Sequence, residues 1–245
     1  MNDSDLERYS RHIIIPQIDI SGQIKLKKSS VLVAGCGGIS STLLMYLASS
    51  GMGEIGIIDH DTVELSNLQR QILYAQSDIG KPKIEATKSK LHSLNSGPTI
   101  TTHNFKISSA NTKVQQIAQN YDYIIDGTDS FESRQTLNSI AYTLKKPFFT
   151  GSAIAFTGHT YSFNGAPCYN CLFSNITENT TCANSGILAP LTGVVGSLIA
   201  CNIIKHIATN DNSIFGQFVL IDILKNHFST KQILPDNQCK ICSST

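Results

Sequence analysis

Four cysteines stand in two pairs whose spacing suits a metal ion. Cys168 and Cys171 form the pair CYNC, and Cys239 and Cys242 form the pair CKIC. Two such pairs supply four thiolates, which is the ligand set of a closed tetrahedral zinc site. Because disulfides are rare in cytosolic proteins, metal binding or catalysis explains the seven cysteines of the chain better than a disulfide framework. The sequence therefore predicts one structural Zn²⁺ at this quartet; four reduced surface cysteines are the alternative.

A glycine-rich turn follows an apolar stretch in the first quarter of the chain. The run VLVA at 31–34 is typical of a buried parallel strand, and it leads into Gly35, Gly37 and Gly38. Glycines at these positions let backbone N–H groups approach a phosphate at the start of the next helix. The dinucleotide fingerprint has a glycine at its sixth position, where this chain has Ser40. The turn predicts a bound nucleotide but not its identity; a glycine turn without phosphate is the alternative.

A polar loop after the second predicted strand carries groups that suit a nucleotide. Asp59 ends the strand EIGIID, where a Rossmann-like fold places the carboxylate that binds ribose hydroxyls. In the segment DHDTVELSNLQRQ, Arg70 offers a planar fork of donors that matches phosphate oxygens. Lys83 falls in the first turn of a predicted helix, where its ammonium could point at a phosphate. A solvated lysine is the alternative interpretation at that position.

Two carboxylates lie at the end of a further strand. YDYIID at 121–126 runs into GTDS, so Asp126 and Asp129 stand at the carboxyl end of a strand, where open α/β sheets bind ligands. A carboxylate beside a triphosphate is a typical ligand of Mg²⁺. Asp129 could instead cap the helix that follows. Together with Arg70 and Lys83, these carboxylates favour phosphoryl or adenylyl chemistry over hydride transfer.

The elements that position these residues alternate between strand and helix as far as about residue 155. Strands are predicted at 31–34, 54–59, 99–107, 121–126 and in PFFTGSAI, with helices near 40–50, 82–94, 110–119 and 131–145. This alternation is typical of a doubly wound, largely parallel, Rossmann-like sheet. Further on, GHTYSFN and GQFVLIDILKNHFSTKQIL indicate antiparallel strands around one apolar helix near 190–208. We expect a single α/β domain over 1–245, with a mixed sheet stapled by zinc.

Composition and charge exclude several classes of function. The formal net charge is +1, which argues against a nucleic-acid-binding surface or a polybasic membrane patch. No apolar run approaches about 18 residues, so no membrane span is expected. The opening MNDSDLERYS is polar and acidic, unlike a signal peptide. We therefore expect a cytoplasmic protein.

Taken in order, the motifs of the chain resemble one protein family. They are RYSRHIIIPQID, GCGGIS, DHDTVELSNLQRQI, GKPKIEA, DGTDS, CYNCLF, TCANSGILAPLTGVVGSL and CKIC. This series resembles the bacterial ThiF/MoeB/HesA adenylyltransferases, relatives of the ubiquitin-activating enzymes. The resemblance implies that the glycine turn holds ATP. It further implies that the chain activates the C-terminal Gly-Gly carboxylate of a small ubiquitin-like sulfur-carrier protein as an acyl-adenylate, which a sulfur-donor protein later converts into a thiocarboxylate.

The resemblance also implies roles for single residues. Asp129 would hold Mg²⁺, Arg70 would contact the phosphates, and Arg11 of RYSRH would reach the active site of the other subunit of a homodimer. Cys182 matches the cysteine that accepts the activated carrier, or a sulfur linkage to it, in several relatives; an incidental exposed thiol is the alternative. The other residues expected at ATP are Gly35, Gly37, Gly38, Asp59, Asp61, Ser66, Asn67, Lys83 and Thr128.

Two residues depart from the family pattern. Ser40 replaces the usual last glycine of the turn, and Ser130 replaces the usual asparagine after Asp129. We expect Ser40 to loosen the packing of helix on strand slightly without touching phosphate. Ser130 alters one hydrogen bond near the site.

Two other functions remain compatible with the sequence. An NAD(P)-dependent oxidoreductase would explain VLVAGCGG and Asp59, but it leaves SNLQR and the paired cysteines unexplained. A zinc-stabilised module that docks a ubiquitin-like partner without chemistry would not need Asp129, Arg70 and Lys83 together. The carrier itself could be ThiS-like, from thiamine biosynthesis, or MoaD-like, from molybdopterin biosynthesis; SGILAPLTGVVGSL is slightly closer to the molybdopterin branch.

Overall fold

Among the residues that the structure describes, one sheet has eight strands in the order β3-β2-β1-β4-β5-β6-β7-β8. It is seen in a computed structural model that describes residues 1–110, 112–173 and 186–243. The strands are β1 (Ser30–Ala34), β2 (Glu54–Asp59), β3 (Thr99–Asn104), β4 (Tyr123–Asp126), β5 (Phe148–Ile154), β6 (Thr157–Phe163), β7 (Gln217–Asp222) and β8 (His227–Gln232). Each strand that the sequence predicts is present, and β3 ends three residues before the predicted limit.

The direction of the strands changes between the two halves of the sheet. β1 pairs in parallel with β2 and β4, and the pairs β2–β3 and β4–β5 are parallel as well. The pairs β5–β6, β6–β7 and β7–β8 are antiparallel. The predicted mixed sheet is therefore confirmed. Because the strand order reverses between β1 and β4, the loops after these two strands flank the crevice in which such sheets bind ligands.

Helices cover both faces of the sheet because its parallel strands alternate apolar residues toward the two sides. Val31 and Val33 of β1 join one core cluster, with α4 (Gly38–Ser49), α5 (Lys83–Leu94) and α9 (Ala189–Thr209). Leu32 and Ala34 join the other, with α6 (Lys113–Ala118), α7 (Phe131–Thr143) and α8 (Tyr169–Phe173). Successive side chains of a strand point to opposite faces of the sheet, so the residues of β1 enter the two cores alternately.

Three short helices that the sequence pattern does not predict precede β1. They are α1 (Asp3–Arg8), α2 (Ser10–Ile13) and α3 (Asp19–Lys28). α1 and α2 bury no residue, and α3 buries only Gly22, Gln23 and Leu26. A segment with so few buried positions has no clear apolar period, which is why its helices are hard to detect from sequence.

Helix α9 corrects one expectation from the sequence. Over 18 residues its mean hydropathy is 1.5, so it is long and apolar enough to cross a membrane. Half of that window is nevertheless buried within the protein. Leu191, Val195, Ile199 and Ile203 recur at every fourth residue, and all four are buried in the core that α9 shares with α4. The helix thus packs as a core element of this fold.

Candidate nucleotide site and metal centre

The loops after β1 and β4 pack directly against each other. Gly35 has a φ of +86°, and a Cβ at this position would lie 3.0 Å from the carbonyl of Gly127. Only glycine permits both this backbone conformation and this close approach. Ser40 is completely buried, and a side chain at Gly127 would collide with its hydroxyl. Gly127 thus makes the room that Ser40 occupies in place of the family's last glycine.

The remaining glycines of the turn lie at the start of α4. Gly37 precedes the helix as its N-cap, and Gly38 is its first residue. A Cβ on Gly38 would lie 3.0 Å from the hydroxyl of Thr192 on α9. Gly38 therefore lets α4 approach α9 closely, besides its predicted contact with the nucleotide.

Asp59 ties the end of β2 to the glycine turn. Its Oδ2 accepts the backbone N–H of Cys36 at 2.6 Å, and its Oδ1 accepts that of Asp61 at 2.8 Å. The side chain is 8% exposed. A carboxylate has about four lone-pair sites, so Asp59 retains acceptors for ribose hydroxyls while it holds the turn.

Lys83 is buried, so the alternative of a solvated lysine does not hold. Its side chain is 7% exposed, and its ammonium lies 2.9 Å from Oδ2 of Asp61. The backbone N–H of Lys83 also donates to the carbonyl of Asp61 at 2.9 Å. Both residues line a pocket of about 330 Å³, together with His60, Thr62, Glu64 and Asn67. The structure therefore places the ion pair of Lys83 and Asp61 in the lining of a polar pocket.

The SNLQR segment forms a 3-10 turn at Leu65–Asn67 that presents Arg70. Asn67 is buried, and its Oδ1 accepts the N–H of Glu64 at 3.2 Å. Ser66 is exposed, and its carbonyl accepts a hydrogen bond from Arg70 at 3.1 Å. Within the described ranges Arg70 makes no ion pair. Most of its five donors therefore remain available for an anion.

A buried ion pair fixes the loop after β4. Asp126 is completely buried, and Arg134 of α7 donates from Nε to its Oδ2 at 2.6 Å. The other oxygen of Asp126 accepts the N–H of Thr128 at 3.1 Å and its hydroxyl at 2.6 Å. Burial alone would lower the pKa of Arg134, but Asp126 and Tyr169 raise it overall. Asp126 thus holds the loop and is occupied by protein groups.

Asp129 differs from Asp126 in that its side chain is exposed. It makes no hydrogen bond or ion pair to the residues that the structure describes. The cap of α7 is Ser130, whose hydroxyl accepts the N–H of Ser133 at 3.2 Å. The alternative of Asp129 as a helix cap is therefore wrong. Its carboxylate is left for a ligand, and the departure at Ser130 supplies an ordinary N-cap.

The two other residues with predicted catalytic roles are Arg11 and Cys182. Arg11 is exposed on the short helix α2. Within the described part of the chain it makes no ion pair with any residue of the nucleotide site. Cys182 lies outside the described residues.

The four paired cysteines converge. The sulfurs of Cys168 and Cys239 are 3.7 Å apart, those of Cys171 and Cys242 are 3.3 Å apart, and all four lie within 4.8 Å of one another. Cys168, Cys239 and Cys242 are buried. Burial of the Cys239 thiol by itself raises its pKa. Hydrogen bonds to the sulfur, first the one from the side-chain amide of Asn170, outweigh burial and lower the pKa of Cys239 to about 6. Such a set of four thiols fits a tetrahedral zinc ion.

Three buried polar residues were missed by the sequence analysis. Arg134 and Asn138 lie on the same face of α7 as the buried Leu137 and Ala141. Tyr169 follows Cys168 directly and is buried. A signal was present, because an arginine and an asparagine on an otherwise apolar helix face need buried partners.

The chain is similar to known proteins over almost its whole length. The ThiF family model matches residues 9–242. "Adenylyltransferase and sulfurtransferase MOCS3" of Aedes aegypti is 41% identical over 99% of this chain, which spans 56% of that relative. "Molybdopterin-synthase adenylyltransferase" of Escherichia coli K12 is 36% identical over 99% of this chain and 98% of its own length. The crystal structure of E. coli MccB with AMPCPP and MccA shares the fold, with a TM-score of 0.85 and 23% identity over 99% of this chain and 76% of that one.

Proposed function

Because the chain belongs to the ThiF family, as its motifs predict, we propose that it is an ATP-dependent adenylyltransferase. It activates the C-terminal Gly-Gly carboxylate of a ubiquitin-like sulfur carrier as an acyl-adenylate and releases pyrophosphate. The observation that carries this proposal is the presentation of Arg70 and Asp129, two charged groups without an ion-pair partner among the described residues. The reaction must bring two anions together, so positioning and electrostatics are its main requirements.

Each charged group has a separate task in the proposed reaction. Arg70 and Lys83 neutralise the phosphates of ATP, and Asp59 binds the ribose hydroxyls. Asp129 fits a ligand of Mg²⁺, because its exposed carboxylate follows a loop that the pair of Asp126 and Arg134 fixes. Mg²⁺, when bound, offsets the charge that develops on the phosphates. The residues expected to line the nucleotide are Gly35, Gly37, Gly38, Asp61, Ser66, Asn67 and Thr128.

The names of the relatives favour one carrier over the other. The full-length E. coli relative is named a molybdopterin-synthase adenylyltransferase, and several longer relatives are named adenylyltransferase and sulfurtransferase. We therefore favour a MoaD-like carrier of molybdopterin biosynthesis over a ThiS-like carrier. The family match over residues 9–242 argues against the NAD(P)-dependent oxidoreductase.

The metal centre and the assembly complete the proposal. One structural Zn²⁺ is held by Cys168, Cys171, Cys239 and Cys242, and it pins the C-terminal segment to α8. The protein is cytoplasmic and acts as a homodimer of one domain over 1–245, in which Arg11 completes the site of the partner subunit. Cys182 acts on the acyl-adenylate after it forms: its thiol attacks the acyl carbon, AMP leaves, and the carrier is held as a thioester.

Carrier-dependent exchange of labelled pyrophosphate into ATP tests the activity. Purified protein should catalyse exchange with a MoaD-like carrier, and removal of the carrier's terminal glycine should abolish it. A ThiS-like carrier serves as the matched comparison and should give slower exchange. Exchange with neither carrier, from protein that binds a carrier in a pull-down, would instead identify a docking module without chemistry.

A further inference from the structure

A chain of buried polar contacts links the cysteine cluster to the loop that carries Asp129. Arg134 is at the centre of these contacts, because its guanidinium donates to four acceptors. They are Asp126 at 2.6 Å, the carbonyl of Thr128 at 2.8 Å, the carbonyl of Gly151 at 3.2 Å and the hydroxyl of Tyr169 at 3.4 Å. Such a fork holds several groups in one fixed geometry, which a lysine cannot do.

Thr128 is held at every polar group it has. Its N–H and hydroxyl donate to Asp126, and its carbonyl accepts from Arg134. The next residue is Asp129, whose side chain has no protein partner in the described chain to hold it in place. The position of the Asp129 backbone therefore depends on the geometry of the pair of Asp126 and Arg134.

The far end of the chain of contacts reaches the metal ligands. Tyr169 directly follows Cys168, and its backbone N–H donates to Oδ1 of Asn138 at 3.0 Å. The amide of Asn138 in turn lies 3.6 Å from the sulfur of Cys168. The guanidinium of Arg134 also lies over the Tyr169 ring, 5.7 Å from its centre. A shift of Cys168 therefore moves Tyr169, and Tyr169 contacts the group that fixes Thr128.

We propose that Arg134 is a positioning residue for Asp129 and that Tyr169 couples this position to occupancy of the cysteine cluster. This inference rests on the proposed function, because it concerns binding of MgATP. It implies that zinc tightens MgATP and, since coupling is reciprocal, that MgATP tightens zinc by the same factor. Zinc would then affect nucleotide binding as well as the stability of the fold.

The test measures two affinities in the full-length protein. MgATP affinity is obtained by calorimetry on the zinc-loaded protein, and zinc affinity by competition with a chelator, with and without saturating MgATP. For the unsubstituted protein we expect MgATP to tighten zinc by at least about fivefold, the lower end of typical coupling. Neither measurement uses catalytic activity.

Variants separate positioning from simple stability. Arg134→Lys should weaken MgATP by at least about tenfold, since small misplacements in a site are costly, and should reduce the zinc coupling to less than about twofold. Tyr169→Phe should keep MgATP affinity within about twofold and still lose part of the coupling. Lys146→Met is the matched control, because Lys146 donates to the carbonyls of Ala118, Gln119 and Tyr121 before the other end of β4. It should lower the melting temperature and leave both affinities unchanged.

The outcomes distinguish this inference from the proposed function. If the unsubstituted protein binds no MgATP, both fail. If it binds MgATP but zinc affinity does not respond, the inference alone is overturned. It is also overturned if a folded Arg134→Lys protein binds MgATP normally, or if Lys146→Met loses the coupling to the same extent. Should Arg134→Lys not fold, Tyr169→Phe decides, because full coupling in that variant contradicts the role of Tyr169.

Discussion

The nucleotide loops and the cysteine cluster use their reactive groups in opposite ways. In the cluster, Cys168 and Cys239 are almost completely buried and lie within 3.7 Å of each other. In the nucleotide loops, Asp129 is exposed, and the Arg70 side chain donates only to the carbonyl of Ser66 among the described residues. Groups that converge on one another are ready for a metal that completes the fold. Groups without an ion-pair partner in the protein are available to a ligand that binds and dissociates.

The acid that ends β4 and the acid three residues after it show the same contrast. The carboxylate of Asp126 accepts hydrogen bonds from Arg134, Thr128 and Thr150. The carboxylate of Asp129 has no hydrogen-bond or ion-pair partner among the described residues. A buried carboxylate without such partners would be very unfavourable, while an exposed one costs little. Chemical type therefore does not separate the acid that holds the loop from the acid that is available to a ligand; the surrounding hydrogen bonds do.

Removal of zinc should have the largest effect, because it acts on the fold. Binding of structural zinc is typically worth about 10–16 kcal/mol in small domains, which is comparable to the whole stability of a protein. We expect about one equivalent of zinc by elemental analysis. Cys239→Ser, or treatment with a strong chelator, should lower the unfolding temperature markedly.

Cys201→Ser is the matched control for this experiment, because Cys201 is an exposed cysteine outside the cluster. It should retain zinc and stability. Less than about half an equivalent of zinc in carefully purified protein would remove the metal from the proposal, and the convergence of the thiols would need another explanation.

Replacement of Asp129 should abolish chemistry but not folding. Loss of a group that holds a metal ion costs several kcal/mol of transition-state stabilisation, and each 1.36 kcal/mol is a factor of about ten in rate. Asp129→Ala should therefore reduce carrier-dependent pyrophosphate exchange by at least about a thousandfold. Its unfolding temperature should stay close to that of the parent protein, since the side chain is exposed. Glu132→Ala, an exposed acid three residues later, should leave exchange unchanged; near-normal exchange in Asp129→Ala would mean that the site lies elsewhere.

The strands and the grouping of the paired cysteines follow from the sequence because local pattern determines them. Continuous apolar runs specify β1, β2 and β4, and the spacing of the cysteine pairs anticipates their convergence. Some features depend on partners that are distant in sequence, as do the burial of Lys83 and the hydrogen bonds of Arg134. The capping role of Ser130 depends instead on which of two neighbouring loop residues begins the helix. Local propensity contains no information on those partners, so only the folded chain reveals them.

Mixing two inactive variants tests whether the nucleotide site is shared between subunits. In a homodimer, Arg11→Ala and Asp129→Ala form heterodimers in which one of the two sites carries both groups. Random mixing after subunit exchange should therefore restore about a quarter of the parent activity. Each variant alone should stay inactive, and mass spectrometry should verify the heterodimers. Heterodimers without activity would place Arg11 in its own subunit's site or outside any site.

Replacement of Cys182 should have the smallest effect on adenylation. Formation of the acyl-adenylate needs ATP, Mg²⁺ and the charged groups around Arg70 and Asp129, whereas a thiol can act only on the adenylate once it exists. Cys182→Ala should thus keep carrier-dependent pyrophosphate exchange within about twofold of the parent rate and lose any covalent, reductant-sensitive adduct with the carrier. Cys201→Ala removes an exposed thiol on α9 and should keep both. Collapse of exchange in folded Cys182→Ala protein would reverse the proposed order of events, and a persisting adduct would assign the thiol to another cysteine.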